Sequence, residues 1–268
     1  MLNILKYELK LHLKSLIIWG ISLVILAALL MLFYPTFGDD VALVDKMLEN
    51  YPKELLQAFG MGGQLSLATV PGYFSFVFVF LQLMLAIQAS NYGFSILSVE
   101  ERELTADYLM TKPVSRSEIY ISKFLASVII MILSSGIAIV ASLISIEAFR
   151  NGHPYDQERM VLLLLTLLPL SLLFLSLSLF ISTLLKKVKS VLSLSLGLCF
   201  GLYIVNSVQT IVGGKWVSGL IPFHYFEPNY ILENGELNTN YFMMYFIIVV
   251  VSIVVSYKTY LTKDIHSV

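Results

Sequence analysis

The chain has 268 residues, of which 57% are hydrophobic and only 13% are charged, and its formal net charge is −1. This charged fraction is about half that of an ordinary soluble domain, too little to cover a soluble surface. The composition therefore excludes a soluble globular protein. We expect membrane lipid, and no nucleic acid, among its partners.

Six uncharged runs are each long enough to cross the roughly 30 Å hydrocarbon core as a helix, which takes about 20 residues. They are Ser15–Gly38, a segment within Pro71–Val99, Phe124–Ile146, Met160–Leu185, Ser190–Gly214 and Leu237–Tyr257. Their continuous apolar character favours helices over membrane strands, in which apolar and polar residues alternate. We therefore predict an all-α integral membrane protein with six transmembrane helices in a single domain, residues 1–268.

Basic residues orient these spans. If the amino terminus is cytoplasmic, twelve of the 17 Lys and Arg residues lie inside and five lie outside, as the positive-inside rule requires. Both termini and residues 100–118 are then predicted to be cytoplasmic. The segments 39–70 and 213–240 are predicted to be extracellular loops.

The first 14 residues place four leucines on one helical side and Lys6, Lys10 and Lys14 on an adjoining side. This pattern suits a helix that lies in the inner membrane interface, with its lysines near anionic headgroups. A cytoplasmic extension of the first span is the alternative interpretation.

The most densely charged stretch, residues 100–123, lies between two long uncharged runs. Good helix formers occupy residues 100–110, and Pro113 ends that predicted helix. Ser115 and Glu118 then form a capping-box pattern, which predicts a new helix that continues into the third span. We interpret this cytoplasmic helix and elbow as a docking element; a solvated loop between spans is the alternative.

Aromatic residues are concentrated in the loop 213–240, beside Pro222 and Pro228. Aromatic side chains of this density suit the headgroup level of a membrane, so an interfacial belt is the preferred interpretation. The alternative is a segment that dips into the membrane, where irregular backbone is tolerated if protein encloses it.

The central part of each apolar run contains no charged residue or histidine, which disfavours an ion-coupled transporter and an intramembrane hydrolase. We predict no catalytic residue and no metal site. Small and polar residues form helical stripes instead, and helix packing is favoured over a substrate path for them. The predicted helix-packing residues are Ser193, Gly197 and Gly201, and the possible substrate-path residues are Gln88, Asn91, Ser95, Ser178 and Ser182.

Two motifs carry a family resemblance. Residues 101–116 read Glu-Arg-Glu-x-Thr-x-x-Tyr-Leu-x-x-x-Pro-Val-Ser-Arg, and residues 51–60 read Tyr-Pro-x-x-Leu-Leu-x-Ala-Phe-Gly. With the span count and orientation, they resemble the permease subunits of type 2 ABC transporters over essentially the whole chain. The resemblance implies a coupling helix that docks on a separate ATPase. Its candidate coupling residues are Glu100, Glu101, Arg102, Glu103, Thr105, Asp107, Tyr108, Pro113 and Arg116.

The resemblance also implies a non-enzymatic, multi-pass permease of a bacterial plasma-membrane exporter. A second permease copy or a related permease and two copies of a cytosolic ABC ATPase would be its partners. ATP and Mg would bind to the ATPase, and this chain would hold no cofactor. Low Arg relative to Lys is similar to permeases of low-GC Gram-positive bacteria, which makes an antimicrobial or other amphipathic peptide the expected cargo. A non-transporting scaffold or immunity protein that recruits a cytosolic partner is the alternative.

Overall fold

The computed structural model describes residues 1–38, 44, 46, 51–52, 56, 59, 65–99, 114–185, 187–212, 218–219 and 221–262. The α-helices are α1 Leu2–Leu32, α2 Tyr34–Gly38, α3 Val70–Ser95, α4 Arg116–Phe149, α5 Gln157–Leu165, α6 Leu167–Leu184, α7 Val191–Val212, α8 Pro228–Asn234 and α9 Thr239–Thr262. A 3₁₀ helix covers Pro222–Phe226. No residue in the described ranges lies in a strand.

Six helical units in the described ranges are long and apolar enough to cross a membrane. They correspond in order to the six predicted spans, so the predicted all-α class and span count are confirmed. The first unit begins at Leu2, because α1 continues without a break from the basic stretch into the span. This continuity matches the extension alternative, whereas an interfacial position of residues 1–14 stays a prediction.

The fourth span is divided into α5 and α6 at Thr166. Pro169 explains the break, because proline has no N–H to donate to the carbonyl of Leu165 and its ring crowds that carbonyl. At the break, the Thr166 hydroxyl donates to the Leu163 carbonyl at 2.6 Å. The uncharged run Met160–Leu185 predicts one continuous span here, although Pro169 lies within it.

The helix α3 lies at the centre of the bundle and contacts α1, α4, α6, α7 and α8. In its most apolar stretch 67% of the residues are buried, against 17% in α7 and in α9. The helix α1 packs along α4, and α6 packs along α9. The outer faces of α7 and α9 are therefore left for lipid or for another protein chain.

The amino terminus and the end of α9 lie at the same end of the bundle. The amino group of Met1 is 3.7 Å from Glu118 at the start of α4, and Arg116 Nη1 donates to the Leu261 carbonyl at 3.4 Å. We call this the Met1 end. At the same end a buried hydrogen bond of 2.6 Å between Tyr120 and Ser256 holds α4 against α9.

The loop between α7 and α9 enters the bundle from the opposite end. Phe223 and Phe226 are 4% and 1% exposed, and Phe223 packs on Phe174 of α6 with ring centroids 4.9 Å apart. Gln82, midway along α3, donates from Nε2 to the Phe226 carbonyl at 2.8 Å. These contacts show that the two rings are enclosed by protein at the level of the middle of α3, which favours the alternative of a segment that dips into the membrane. The interfacial belt and the dipping segment both stay predictions.

Arg159 in α5 fastens the helix that follows this segment. Its Nη1 donates to the carbonyls of Leu232 and Glu233, at 2.9 and 2.7 Å, at the C-terminal end of α8. That end of α8 is electronegative, so its contact with a cation is favourable. The Arg159 side chain is 42% exposed, which weakens the contact. We therefore expect Arg159→Met to lower the free energy of unfolding by about 1 kcal/mol. Melting temperatures in detergent measure the loss. The variant Arg159→Lys keeps the charge and should lose less, and a methionine variant as stable as the native chain would contradict this role.

Candidate functional site

The predicted coupling segment connects α3 to α4. Its residues Glu100, Glu101, Arg102, Glu103, Thr105, Asp107, Tyr108 and Pro113 lie outside the described residues. Their docking role stays a prediction. The structure describes residues 96–99, which precede the segment, and residues 114–123, which contain its end and the start of α4. It therefore defines how the two flanks of residues 100–113 are attached to the spans.

The start of α4 is the capping box predicted from Ser115 and Glu118. The Ser115 hydroxyl accepts a hydrogen bond from the Glu118 backbone N–H at 3.2 Å. Glu118 Oε2 in turn accepts one from the Ser115 backbone N–H at 3.2 Å. Two N–H groups that a helix start would otherwise leave without partners are thereby satisfied. The predicted cap is confirmed, and it fixes the direction in which the chain enters the third span.

The end of α3 is also fixed. The Ile96 N–H donates to the Tyr92 carbonyl at 2.9 Å, and the Ser98 hydroxyl donates to the Phe94 carbonyl at 2.6 Å. From α4, Lys123 Nζ donates to the Ile96 carbonyl at 3.0 Å. A cation at a helix C-terminus is favourable because that end carries partial negative charge. Lys123 therefore joins the two flanks of the segment.

A buried charge cluster lies beside these flanks. Lys123 Nζ is 3.6 Å from Glu8 Oε1 of α1, and the two side chains are 3% and 9% exposed. Glu8 Oε2 is also 3.6 Å from His12 Nε2. Burying a charge is costly unless it is paired, so this pairing explains how both ions occur in the contact between α1 and α4. We call the contact the Glu8–Lys123 pair.

This pair is not predicted from the sequence. The one sequence feature that could have drawn attention to Glu8 is that it is the sole acidic residue among residues 1–38 and lies within a basic stretch. Nothing local to Glu8 indicates Lys123 as its partner, because the contact depends on how α1 and α4 pack.

Arg116 is the one predicted coupling residue that lies in the described ranges. It is the first residue of α4, and its bond to the Leu261 carbonyl links α4 to the end of α9. Arg116 therefore holds the elbow against the last span. A contact with an ATPase stays a prediction for it.

The predicted path residues of α3 and α6 line helix contacts. Gln88 Nε2 donates to Ser134 of α4 at 2.8 Å, while Asn91 and Ser95 are half-buried. Ser178 donates to the carbonyl of Phe174 in its own helix at 2.6 Å, and Ser182 donates to the Phe94 carbonyl at 3.4 Å. Gln88, Ser178 and Ser182 are fully or nearly fully buried. These positions agree with helix packing, and a substrate path along them stays a prediction.

The stripe Ser193, Gly197 and Gly201 lies on the exposed face of α7. Among the described residues, no neighbouring helix lies within 4 Å of a Cβ placed on either glycine. The stripe therefore does not bring α7 close to another described helix of this chain. The helix-packing role of the stripe stays a prediction.

Gly93 is a close-packing residue that the sequence analysis missed. A Cβ placed on it would overlap Ser178 Oγ and would lie 2.6 Å from the Leu175 carbonyl oxygen. The helices α3 and α6 approach each other here so closely that only glycine fits. Ala89 lies four residues before Gly93, so the small-residue spacing typical of close helix contacts was present in the sequence.

The described part of the chain contains no group of three His, Cys, Asp or Glu residues placed to hold a metal ion. Several of its polar contacts join helices, and those of Lys123, Met1 and Arg116 lie at the Met1 end around residues 96–99 and 114–123. This arrangement is suited to passing a movement between a bound partner and the spans.

Comparison with known proteins agrees with this arrangement. A family model described as "ABC-2 family transporter protein" matches residues 2–265, nearly the whole chain. No curated protein matches the chain. In this family the permease is the membrane component of the transporter, and a separate subunit is the ATPase. Six membrane-crossing helices and a match over almost the full length lead to one conclusion: the chain belongs to the ABC-2 transporter family and is the multi-pass membrane permease of an ABC transporter.

Proposed function

We propose that this permease exports an amphipathic or hydrophobic substrate, most simply a peptide, across a bacterial plasma membrane. Two copies of a cytosolic ABC ATPase drive it and dock on residues 100–118. A second copy of this chain, or a related permease, completes the transporter. ATP and Mg bind to the ATPase subunits.

This proposal rests mainly on one observation: both flanks of the coupling segment are anchored to α4. The capping box holds one flank on α4, and the bond from Lys123 to Ile96 holds the other flank on the same helix. A partner that moves residues 100–113 therefore moves α3 and α4 together. A loosely attached loop would absorb such a movement instead.

Met1, Ser115 and the end of α9 lie at the same end of the bundle. Most of the basic residues are concentrated at this end, which supports a cytoplasmic position for the segment. The described helix contacts in the middle of the bundle use hydroxyl and amide side chains, such as the Gln88–Ser134 bond. An uncharged interior of this kind is compatible with an apolar or amphipathic cargo and offers no counter-ion for a small ion.

The proposal predicts that the permease retains an ATPase through residues 100–118. The alanine variants Arg102→Ala and Glu103→Ala should each weaken ATPase binding about tenfold or more, since truncating a central interface residue costs about 2 kcal/mol. Copurification and binding titrations of the detergent-solubilised permease with its ATPase measure this. Uptake of a fluorescent amphipathic peptide into inside-out proteoliposomes with ATP measures transport.

Lys258→Ala is the matched control, because it removes an exposed charge from the Met1 end outside the segment. Unchanged binding and transport in both segment variants would contradict the docking site. ATPase binding by the native chain without any ATP-dependent peptide uptake would instead favour the scaffold alternative.

A further inference from the structure

The Glu8–Lys123 pair joins three helices at one point. Lys123 of α4 contacts Glu8 of α1 at 3.6 Å and the carbonyl that ends α3, that of Ile96, at 3.0 Å. Apolar side chains would fill the same volume with equal or better stability, because desolvation offsets much of the attraction within a buried ion pair. The pair therefore calls for an explanation other than stability.

The position of the pair relative to the coupling segment provides that explanation. Ile96 precedes the segment and Lys123 follows it, so displacement of either flank changes the surroundings of the Lys123 ammonium group. A second contact binds α1 to the same place, because the Ser122 hydroxyl donates to the Met1 carbonyl at 3.2 Å. The first turns of α1 are thus fastened to the helix that carries the elbow.

We propose that the Glu8–Lys123 pair transmits the movement of the coupling segment to α1. This inference rests on the proposed function and adds a positioning residue pair that lies outside the predicted docking residues. When the ATPases close on ATP, the flanks shift together, and the charged contact makes α1 follow them. Without the pair, the contacts of Met1 with Ser122 and Glu118 still hold the start of α1 on α4, but the charged link at Glu8 is lost and the rest of α1 no longer follows α4.

The test uses the permease–ATPase complex and the double variant Glu8→Met with Lys123→Met. The double change removes both charges together, because either single change would strand a buried ion and threaten folding. Spin labels on Leu11 of α1 and Lys258 of α9, both exposed, report the movement in a background with the single cysteine replaced, Cys199→Ser. Ser256→Ala is the matched control, because it removes one buried polar contact between α4 and α9 at the same end.

We expect the distance between the labels to change when ATP and vanadate trap the native complex. The control variant Ser256→Ala should show the same change in distance as the native complex. In the double variant the ATPase should remain bound and the change in distance should be lost. Stimulation of ATP hydrolysis by the amphipathic peptide should fall about tenfold, a typical coupling between two sites.

A native-sized distance change in the double variant would overturn the proposal, and so would a native complex in which α1 does not move. Failure of the double variant to assemble with the ATPase would overturn it too, because the pair would then be only structural. Peptide uptake by native proteoliposomes tests the proposed function separately, since it depends on neither the labels nor the variant.

Discussion

Replacing Gly93 with leucine is expected to prevent the normal assembly of the bundle. The side chain would enter the place where α3 meets α6, and two of the nearest atoms are backbone atoms, the Leu175 oxygen at 2.6 Å and the Leu179 nitrogen at 2.9 Å. Backbone atoms cannot turn aside as a flexible side chain can. Even Gly93→Ala should cost about 1–3 kcal/mol, the usual cost of overpacking a core, and leucine should cost more.

Thermal unfolding of the purified permease in detergent, followed by size-exclusion chromatography, measures this effect. Gly136 of α4 supplies the matched control, because among the described residues nothing lies within 4 Å of a Cβ placed on it. Gly136→Ala should keep the native melting temperature or raise it slightly, since alanine favours helix more than glycine does. Equal losses from Gly93→Ala and Gly136→Ala would show that the contact between α3 and α6 is not the cause.

Some features of this fold could be read from short stretches of sequence. The six spans follow from uncharged runs, because a helix that crosses lipid satisfies its own backbone and needs only an apolar surface. The start of α4 follows from Ser115 and Glu118, because a capping box is completed within four residues. These features match the structure because each one depends on residues that are close together in the sequence.

Other features depend on which helices become neighbours. The stripe Ser193, Gly197 and Gly201 has the spacing of a packing face but lies on the outside of α7. Gly93 and Ala89 have the same spacing, and Gly93 lies where α3 closely approaches α6. Residue spacing identifies a helix face, and tertiary packing decides what that face meets. The same holds for Glu8 and Lys123, whose pairing follows from the contact of α1 with α4.

The two ends of the bundle use polar contacts differently. At the Met1 end, charged groups join α1, α3 and α4 around the flanks of the coupling segment. At the opposite end, the loop that carries Phe223 and Phe226 enters the bundle, with a neutral amide of α3 bonded to its backbone. Burial also lowers the pKa of His224 in this loop, which favours its neutral form among the aromatic rings. Charged groups occur at the opposite end too, where Arg159 donates to the end of α8, so the two ends differ in which helices their charged groups join.

The hydrogen bond from Gln82 to Phe226 is expected to hold that loop inside the bundle. The variant Gln82→Leu keeps nearly the same volume but leaves the buried Phe226 carbonyl without its donor. An unsatisfied buried acceptor costs about 1–3 kcal/mol. We expect a lower melting temperature and faster proteolytic cleavage in the loop 213–240, measured by limited proteolysis and mass spectrometry.

Gln88→Leu is the matched control, because it changes the same residue type in the same helix. Gln88 bonds to a side chain, Ser134, whose hydroxyl can turn and donate to the carbonyl one helical turn before it. The Gln88 Oε1 atom has no hydrogen-bond partner among the described residues, so leucine also removes a costly buried acceptor. Gln88→Leu should therefore destabilise the permease less than Gln82→Leu and leave the cleavage of the loop unchanged. The opposite order would show that the loop is held by its aromatic packing alone.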